Sequence, residues 1–289
     1  ICQAAQYPLQ PVSIDPWLLG ALLGDGCLCS NALSISSADS EIVDRVQSAL
    51  PHGYTLNKHG EYDWTIGAVS RGAGYERPNI RYKANGYEVS VGRTYVGRRP
   101  TIDGALALHV EACEAHYGDA AIAVNLRREL RALNLLGRHH FDKFIPDRYL
   151  RNSIDVRLEL LRGLMDTDGS APPHGGQALL EQTSSRLAHD VEELVRSLGG
   201  LASTVTYPGR TPRCKTSYRT SVQFTDPCAP FWLPRKKARK VGTRGRLVRK
   251  LVSVKYVGDE EVQCISVAHA SQLYLTDEFL VTHNTKSGK

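Results

Sequence analysis

Two stretches 143 residues apart repeat one local pattern, and the repetition narrows the folds open to this 289-residue chain. The first runs from Pro16 to Leu23, where Trp17, Leu18, Ala21 and Leu22 recur at helical spacing before Gly24-Asp25-Gly26 ends the helix. The second runs from Ile154 to Met165, with Val156, Leu160, Leu161 and Leu164 on the apolar stripe, and ends at Asp166-Thr167-Asp168-Gly169. The segments that follow also match. A short alternating stretch leads to Ser36-Ser37-Ala38-Asp39-Ser40-Glu41 after the first copy and to Thr183-Ser184-Ser185-Arg186-Leu187 after the second. In both, a serine is expected to supply the N-cap oxygen of an amphipathic helix. A degenerate repeat of this length predicts an α+β protein of two related lobes.

Small residues, Gly20 and Ala21 in LLGALLGDG and Gly163 in LRGLMDTDG, would let two such helices pack closely and bring Asp25 and Asp168 together. Adjacent carboxylates repel unless a divalent cation neutralises them, and oxygen ligands suit Mg2+ (or Mn2+). A metal held there can activate water and stabilise the leaving oxygen of a phosphodiester. An Asp-Gly after a core helix is also an ordinary turn, and one copy alone would carry no more than that. Two copies with matched downstream helices favour the metal site.

These residues resemble the LAGLIDADG (DOD-type) homing endonucleases carried by inteins. The first copy departs from the family pattern at Leu23, where an acid is common, but keeps the final acid. The resemblance covers most of residues 10 to 240 and implies two pseudo-symmetric αββαββα lobes, each laying an antiparallel sheet along the DNA major groove. Lys143-Phe144-Ile145-Pro146 and Leu233-Pro234-Arg235-Lys236 look like the family's lysine segments. The resemblance implies that Lys143 and Lys236 approach the active site, where a lysine would stabilise charge growing on phosphate. A solvated surface lysine is the plainer alternative, and Lys237 is equally available.

Asn79-Ile80-Arg81-Tyr82-Lys83 in the first lobe and Thr216 to Gln223 in the second are candidate reading strands, with Arg81, Lys83, Arg219 and Gln223 as donors to base edges. Residues 235 to 250 hold nine Lys or Arg among sixteen. Arg235, Lys237, Arg239 and Lys240 are expected to meet phosphates there, giving affinity that weakens with salt. The net charge of +6 fits a polyanionic partner without requiring one.

The end of the chain changes character. Leu251 to Tyr256 and Val262 to Val267 read as short strands, and YVGDEEVQCISVAHASQLYLTDEFLVTHNT resembles the C-terminal splicing segments of inteins. Asn284 can cyclise through its side-chain amide and cleave the bond to Thr285. His283 can protonate the departing amine, and the Thr285 hydroxyl can accept the upstream segment as an ester. Cys264 and Thr282 fall where one class of inteins, class 3, keeps a cysteine nucleophile and a threonine. The other six cysteines, at 2, 27, 29, 113, 214 and 228, form no zinc pattern and are expected to be mostly buried thiols.

The expected organisation is a linker over 1–15, lobes over 16–150 and 151–245, a β-strand fragment of a Hint-type splicing domain over 246–284, and a C-extein stub over 285–289. No N-terminal splicing block with its Thr-x-x-His element is seen before Pro16, so the chain is expected to need that block, supplied as a partner, to splice. Double-stranded DNA with a long recognition site and the host protein (extein), with a replicative helicase or another ATPase as the guess, are the other expected partners. The start lacks a signal-peptide pattern, so a cytoplasmic monomer is expected. The competing reading is a splicing element whose endonuclease part is inactive and only binds DNA.

If Cys264 is the nucleophile, supplying an N-terminal splicing block to this chain restores splicing, and Cys264→Ala abolishes ester formation at Thr285. Splicing unchanged in the variant, read by gel mobility of the ligated product, removes Cys264 from the mechanism.

Overall fold

The computed structural model describes residues 2–283 except 31, 52, 69–78, 84, 92–93, 118–124, 174–176, 210, 212–214, 240–246, 250, 260, 262 and 264. It divides into two compact units, one of Val12–His139 and one of His140–Lys289 together with Ile1–Pro11.

Unit Val12–His139 begins with helix α1 (Pro16–Gly24), whose residues Trp17 to Leu23 are all buried. A helix apolar on every side belongs in a core. It starts where the Asp15 carboxylate accepts from the Leu18 amide at 2.9 Å and Pro16 takes the position that needs no N–H. Strands β1 (Gly26–Cys27) and β2 (Leu33–Ser36), helix α2 (Ser40–Ala49), and strands β3 (Tyr54–Lys58) and β4 (Asp63–Ala68) follow. The four strands form one antiparallel sheet in the order β1-β2-β4-β3. The expected serine cap of α2 is instead Asp39, whose carboxylate accepts from the Glu41 amide at 3.1 Å. Ser37 is taken up one step earlier, accepting from the Asp39 amide at 3.1 Å.

Three further strands, β5 (Asn79–Lys83), β6 (Gly86–Val91) and β7 (Thr94–Arg99), make a separate antiparallel sheet in sequential order. The candidate reading strand Asn79–Lys83 therefore lies in this three-stranded sheet and not in the four-stranded one. Alternation marked it as a strand but could not say which sheet it joins. Helix α3 (Ile102–Tyr117) follows, then α4 (Leu126–Ala132).

In the other unit, α5 (Asp147–Leu150) precedes α6 (Ile154–Thr167), β8 (Gly169–Ser170), β9 (Ala178–Gln182), α7 (Ser185–Ser197), β10 (Leu201–Tyr207), β11 (Ser217–Gln223) and α8 (Pro234–Ala238). The sheet order is β8-β9-β11-β10, so the sequence helix, two strands, helix, two strands and the strand order both recur. Ser184 caps α7, its hydroxyl accepting from the Leu187 amide at 3.2 Å. One face of α7 is buried through Leu187, Val191, Leu194 and Val195, which pack on β10 and β11.

Residues 1–15 were expected to be a linker, but those up to Pro11 belong to this unit. The Ala5 amide donates to Ser197 O at 2.8 Å, and Gln10 and Asn152 exchange two hydrogen bonds of 3.1 and 2.9 Å. Arg157, wholly buried, donates to Asn152 O at 2.8 Å, to Ser197 Oγ at 2.6 Å and to Ala5 O, with Tyr7 against its guanidinium. Burial lowers the guanidinium pKa. These acceptors satisfy a charge that would otherwise be costly to bury.

Beyond α8 the expected strands are absent among the described residues. Leu251, Val252, Val254 and Tyr256 are 81 to 94% exposed, and residues 263 and 265–267 form no strand. A strand gains its hydrogen bonds only from a neighbour, and none is paired with these segments there. What is formed is a hairpin of β12 (Tyr274–Leu275) and β13 (Val281–Thr282) across a 3-10 turn at Asp277–Phe279. Glu278 in that turn lies 3.7 Å from both Arg196 and Arg249. The four cysteines described with their side chains, Cys2, Cys27, Cys29 and Cys228, are half-buried or exposed rather than buried, because they sit in turns, terminal segments and a strand end. Among the described residues no helix is long and apolar enough to cross a membrane.

A Cβ added at Gly26 would lie 2.4 Å from Leu22 O, and one added at Gly169 would lie 2.4 Å from Met165 O. Both glycines pass directly over the helix carbonyl four residues earlier. Gly26→Ala and Gly169→Ala should each destabilise the fold by about 1–3 kcal/mol, the usual cost of overpacking. Urea unfolding measures it, and wild-type midpoints in both variants would contradict the close approach.

Candidate active site and nucleic-acid interface

Asp25 and Asp168 occupy the same place in their units, each the C-cap of the repeat's first helix. Their amides donate to Ala21 O at 3.1 Å and Leu164 O at 3.0 Å, closing the last turn, and both residues are half-buried. The glycine that follows turns the chain into the first strand. The carboxylate thus stands at the C-terminal end of a helix, the negative end of its dipole. A carboxylate beside carbonyl dipoles is a donor set suited to a hard cation. Asp168 is also oriented, since its Oδ2 accepts from Gln182 Nε2. Among the described residues no cluster of three or more His, Cys, Asp or Glu could hold a metal.

Asp166, two positions before Asp168, is wholly buried. Its carboxylate accepts from the Trp232 amide at 3.1 and 3.2 Å and from the Leu233 amide at 3.1 Å. It therefore anchors the approach to α8, a fixing role. The corresponding position of the other copy, Leu23, is also wholly buried, with an apolar side chain.

Lys236 is 6% exposed, which overturns the surface-lysine alternative. Its ammonium donates to Met165 O at 2.8 Å, Asp166 O at 2.6 Å and Gly169 O at 2.6 Å. An ammonium has three donors, and here all three are engaged on the carbonyls at the end of α6. Lys237, its neighbour on the same short helix, is half-buried. Acceptors that are main-chain carbonyls leave no trace in the sequence, so neither this role nor that of Asp166 was legible there.

Lys143 is 3% exposed and its carbonyl accepts from Ser184 Oγ at 2.7 Å. The segment after it is pinned to α7, with the Ile145 amide donating to Asp190 Oδ2 at 2.8 Å and the Arg186 guanidinium 4.0 Å from the centre of the Phe144 ring. Burial raises the Asp190 pKa, while the Ile145 amide and the charges of Arg186 and His189 oppose the rise.

The polar candidates separate by sheet. Thr220 and Val222 of β11 are buried on the side where α7 packs, so alternation puts Arg219 and Gln223 on the open face. Arg219 pairs with Glu181 at 2.9 Å across the strands and lies 4.8 Å from the centre of the Tyr207 ring. Each partner of that pair favours the other's charged form, lowering the Glu181 pKa and raising that of Arg219. Arg81 and Lys83 lie on the three-stranded sheet. Arg235 and Arg239 are exposed at α8, and Lys240 lies outside the described residues. Thr282 is in β13 and His283 follows it, whereas Cys264, Asn284 and Thr285 also lie outside.

The close cysteine pair that completes no zinc pattern lies near the first helix end. Cys27 and Cys29, just past Asp25, hold their sulfurs 3.7 Å apart. Burial pushes the Cys27 thiol up, but hydrogen bonds with Ser30 and Cys29 outweigh it, and its pKa lies below that of an ordinary thiol.

Comparison with known proteins places a class on part of the chain. Residues 155–225, from α6 into the turn after β11, match the family described as LAGLIDADG-like domain. The chain therefore carries a LAGLIDADG-like domain over that region. It is also 37% identical over 169 residues to a protein of Mycobacterium intracellulare named Replicative DNA helicase DnaB. That match takes in 56% of this chain and 28% of the helicase, so the chain spans little more than a quarter of that relative's length.

Asp166→Ala would remove the acceptor of the buried Leu233 amide and of the half-buried Trp232 amide, the former loss costing about 1–3 kcal/mol. Thermal unfolding should show a clear loss of stability, and a wild-type midpoint would contradict the anchoring role.

Proposed function

We propose that this chain is a DNA-cleaving homing endonuclease carried by an intein, joined to the C-terminal part of that intein's splicing element. The observation that carries the nuclease reading is the duplicated helix end, in which Asp25 and Asp168 share position, capping geometry and an obligatory following glycine. The LAGLIDADG-like match supports it for the second copy. Each acidic helix end would meet the phosphodiester backbone of double-stranded DNA.

Asp25 and Asp168 are the residues that would hold Mg2+ or Mn2+. When bound, such an ion supplies a lowered pKa for the attacking water and charge stabilisation at the phosphate. The chain's own residues do the positioning. Gln182 orients the Asp168 carboxylate through a hydrogen bond to one oxygen, leaving the other available. Lys236 satisfies the carbonyls at the end of α6 and offsets their negative potential, keeping the helix end fixed as charge gathers on the substrate. Arg219 and Gln223 would face the DNA from β11, and Arg235 and Arg239 would meet its backbone.

For the tail we infer Asn284 cyclisation assisted by His283, with Cys264 as the nucleophile that attacks the N-terminal junction, Thr282 near the reaction and Thr285 as the acceptor. Likeness to a helicase over half of this chain supports a replicative helicase as the host protein, the named relative being itself such a protein.

A plasmid carrying an uninterrupted helicase gene tests the nuclease reading. In Mg2+ the wild-type chain linearises it, and Asp25→Asn and Asp168→Asn each lower the rate by at least about a hundredfold, the scale expected for removing charge stabilisation at the reacting group. Tight binding by wild type without cutting would leave a DNA-binding splicing element in place of the nuclease.

A further inference from the structure

Cys27 ends β1 and Cys29 follows two positions later, and the residue between them fixes how they stand. Leu28 is 1% exposed, and its carbonyl accepts from the Gly137 amide at 2.8 Å. With Leu28 turned inward, the side chains on either side of it turn outward. Cys27 is half-buried and Cys29 is exposed, so a small reagent can reach both sulfurs, which lie 3.7 Å apart. Cys27 is also held from the neighbouring strand, where Ser34 is its partner in the β1–β2 register. Packing and strand pairing thus keep the two thiols together.

From this geometry we propose that Cys27 and Cys29 form a reversible dithiol/disulfide site whose co-reactant is a low-molecular-weight disulfide. Two residues of chain keep their Cα atoms within about 7 Å, a disulfide spans up to about 6.8 Å, and the chain bends at Cys29. Bonding needs the sulfurs to close from 3.7 Å to about 2 Å, which side-chain rotation can supply. The Cys29 sulfur, the more exposed, attacks one sulfur of the oxidant as its thiolate, forming a mixed disulfide and expelling one small thiolate. The Cys27 thiolate then attacks the Cys29 sulfur and expels the second. The protein pair gives up two electrons and two protons, and the oxidant leaves as two small thiols. A ring closed across one residue gains little from loop closure, so an excess of small thiol opens it again. A structural zinc ion is a poorer occupant, since it takes four ligands and among the described residues no cluster of three or more His, Cys, Asp or Glu could hold a metal. The site puts a covalent change on the strand that leads away from Asp25, yet it is separate from the DNA-cleaving reading and does not rest on it.

The test incubates the reduced full chain with oxidised glutathione at mildly alkaline pH and caps the remaining thiols with iodoacetamide. Cleavage on the N-terminal side of aspartate then releases residues 25–38, which hold Cys27, Cys29 and no other cysteine. The expected peptide is uncapped and lighter than the dithiol form by two hydrogens, and dithiothreitol before capping returns it to the doubly capped form. In Cys27→Ser, Cys29 has no second thiol beside it to expel glutathione, and the mixed disulfide should accumulate to at least about ten times its wild-type amount. Circular dichroism and the unfolding midpoint verify that the variant folds. A wild-type peptide that stays doubly capped, carries glutathione on both cysteines, or is joined to another cysteine of the chain overturns the site. So does a variant with no more mixed disulfide than wild type. None of these results bears on DNA cleavage.

Discussion

Everything proposed for this chain depends on how two helices end. An α-helix finishes with carbonyls that have no intrahelical partner, and these concentrate negative potential at its last turn. Placing a carboxylate there is unfavourable by itself, yet both copies do so, and both then need a glycine because a Cβ would strike the carbonyl four residues back at 2.4 Å. Around α6 the protein answers the potential with a buried ammonium, Lys236, on three carbonyls. Asp166 adds a second carboxylate there, held by the chain before α8, which it ties to the same helix end. An arrangement that gathers negative potential at a carboxylate, and holds it in place, is suited to a cation.

Burial supports that constraint. Helix α1 has no exposed face over Trp17 to Leu23, so its tip is held by packing on every side. Helix α6 keeps a polar face but is fixed at its start by Arg157, which ties residues 5 and 7 to the second unit. The open faces of the sheets are then left for polar side chains. The charged residues on them are held by cross-strand partners, Glu181 for Arg219 and Glu88 for Arg98. Such exposed pairs contribute little stability, and their value here is orientation.

What the sequence revealed follows the range of each interaction. The ends of α1 and α6, the strand character of Asn79–Lys83 and Ser217–Gln223, and the Ser184 cap rest on neighbours within a few residues, and all were legible. Membership of a sheet was not, and no local pattern shows that Asn79–Lys83 joins a separate three-stranded sheet. The cap of α2 was misassigned because three serines and Asp39 compete within five residues, and only the geometry shows that the carboxylate reaches the Glu41 amide. The buried roles of Lys236 and Asp166 depend on main-chain partners about 70 residues away, which no local pattern encodes. The strands expected over 251–256 and 262–267 have the right alternation, but alternation cannot supply the partner strand that would fix them.

The proposal most open to direct test is that Asp25 and Asp168, at their two helix ends, each take part in holding a cation. Mn2+ binding by the full chain, followed by electron paramagnetic resonance, tests it directly. The account predicts a bound-ion signal that falls in Asp25→Asn and falls in Asp168→Asn. Retention of the wild-type Mn2+ signal in either single variant would contradict a part for that residue in holding the cation.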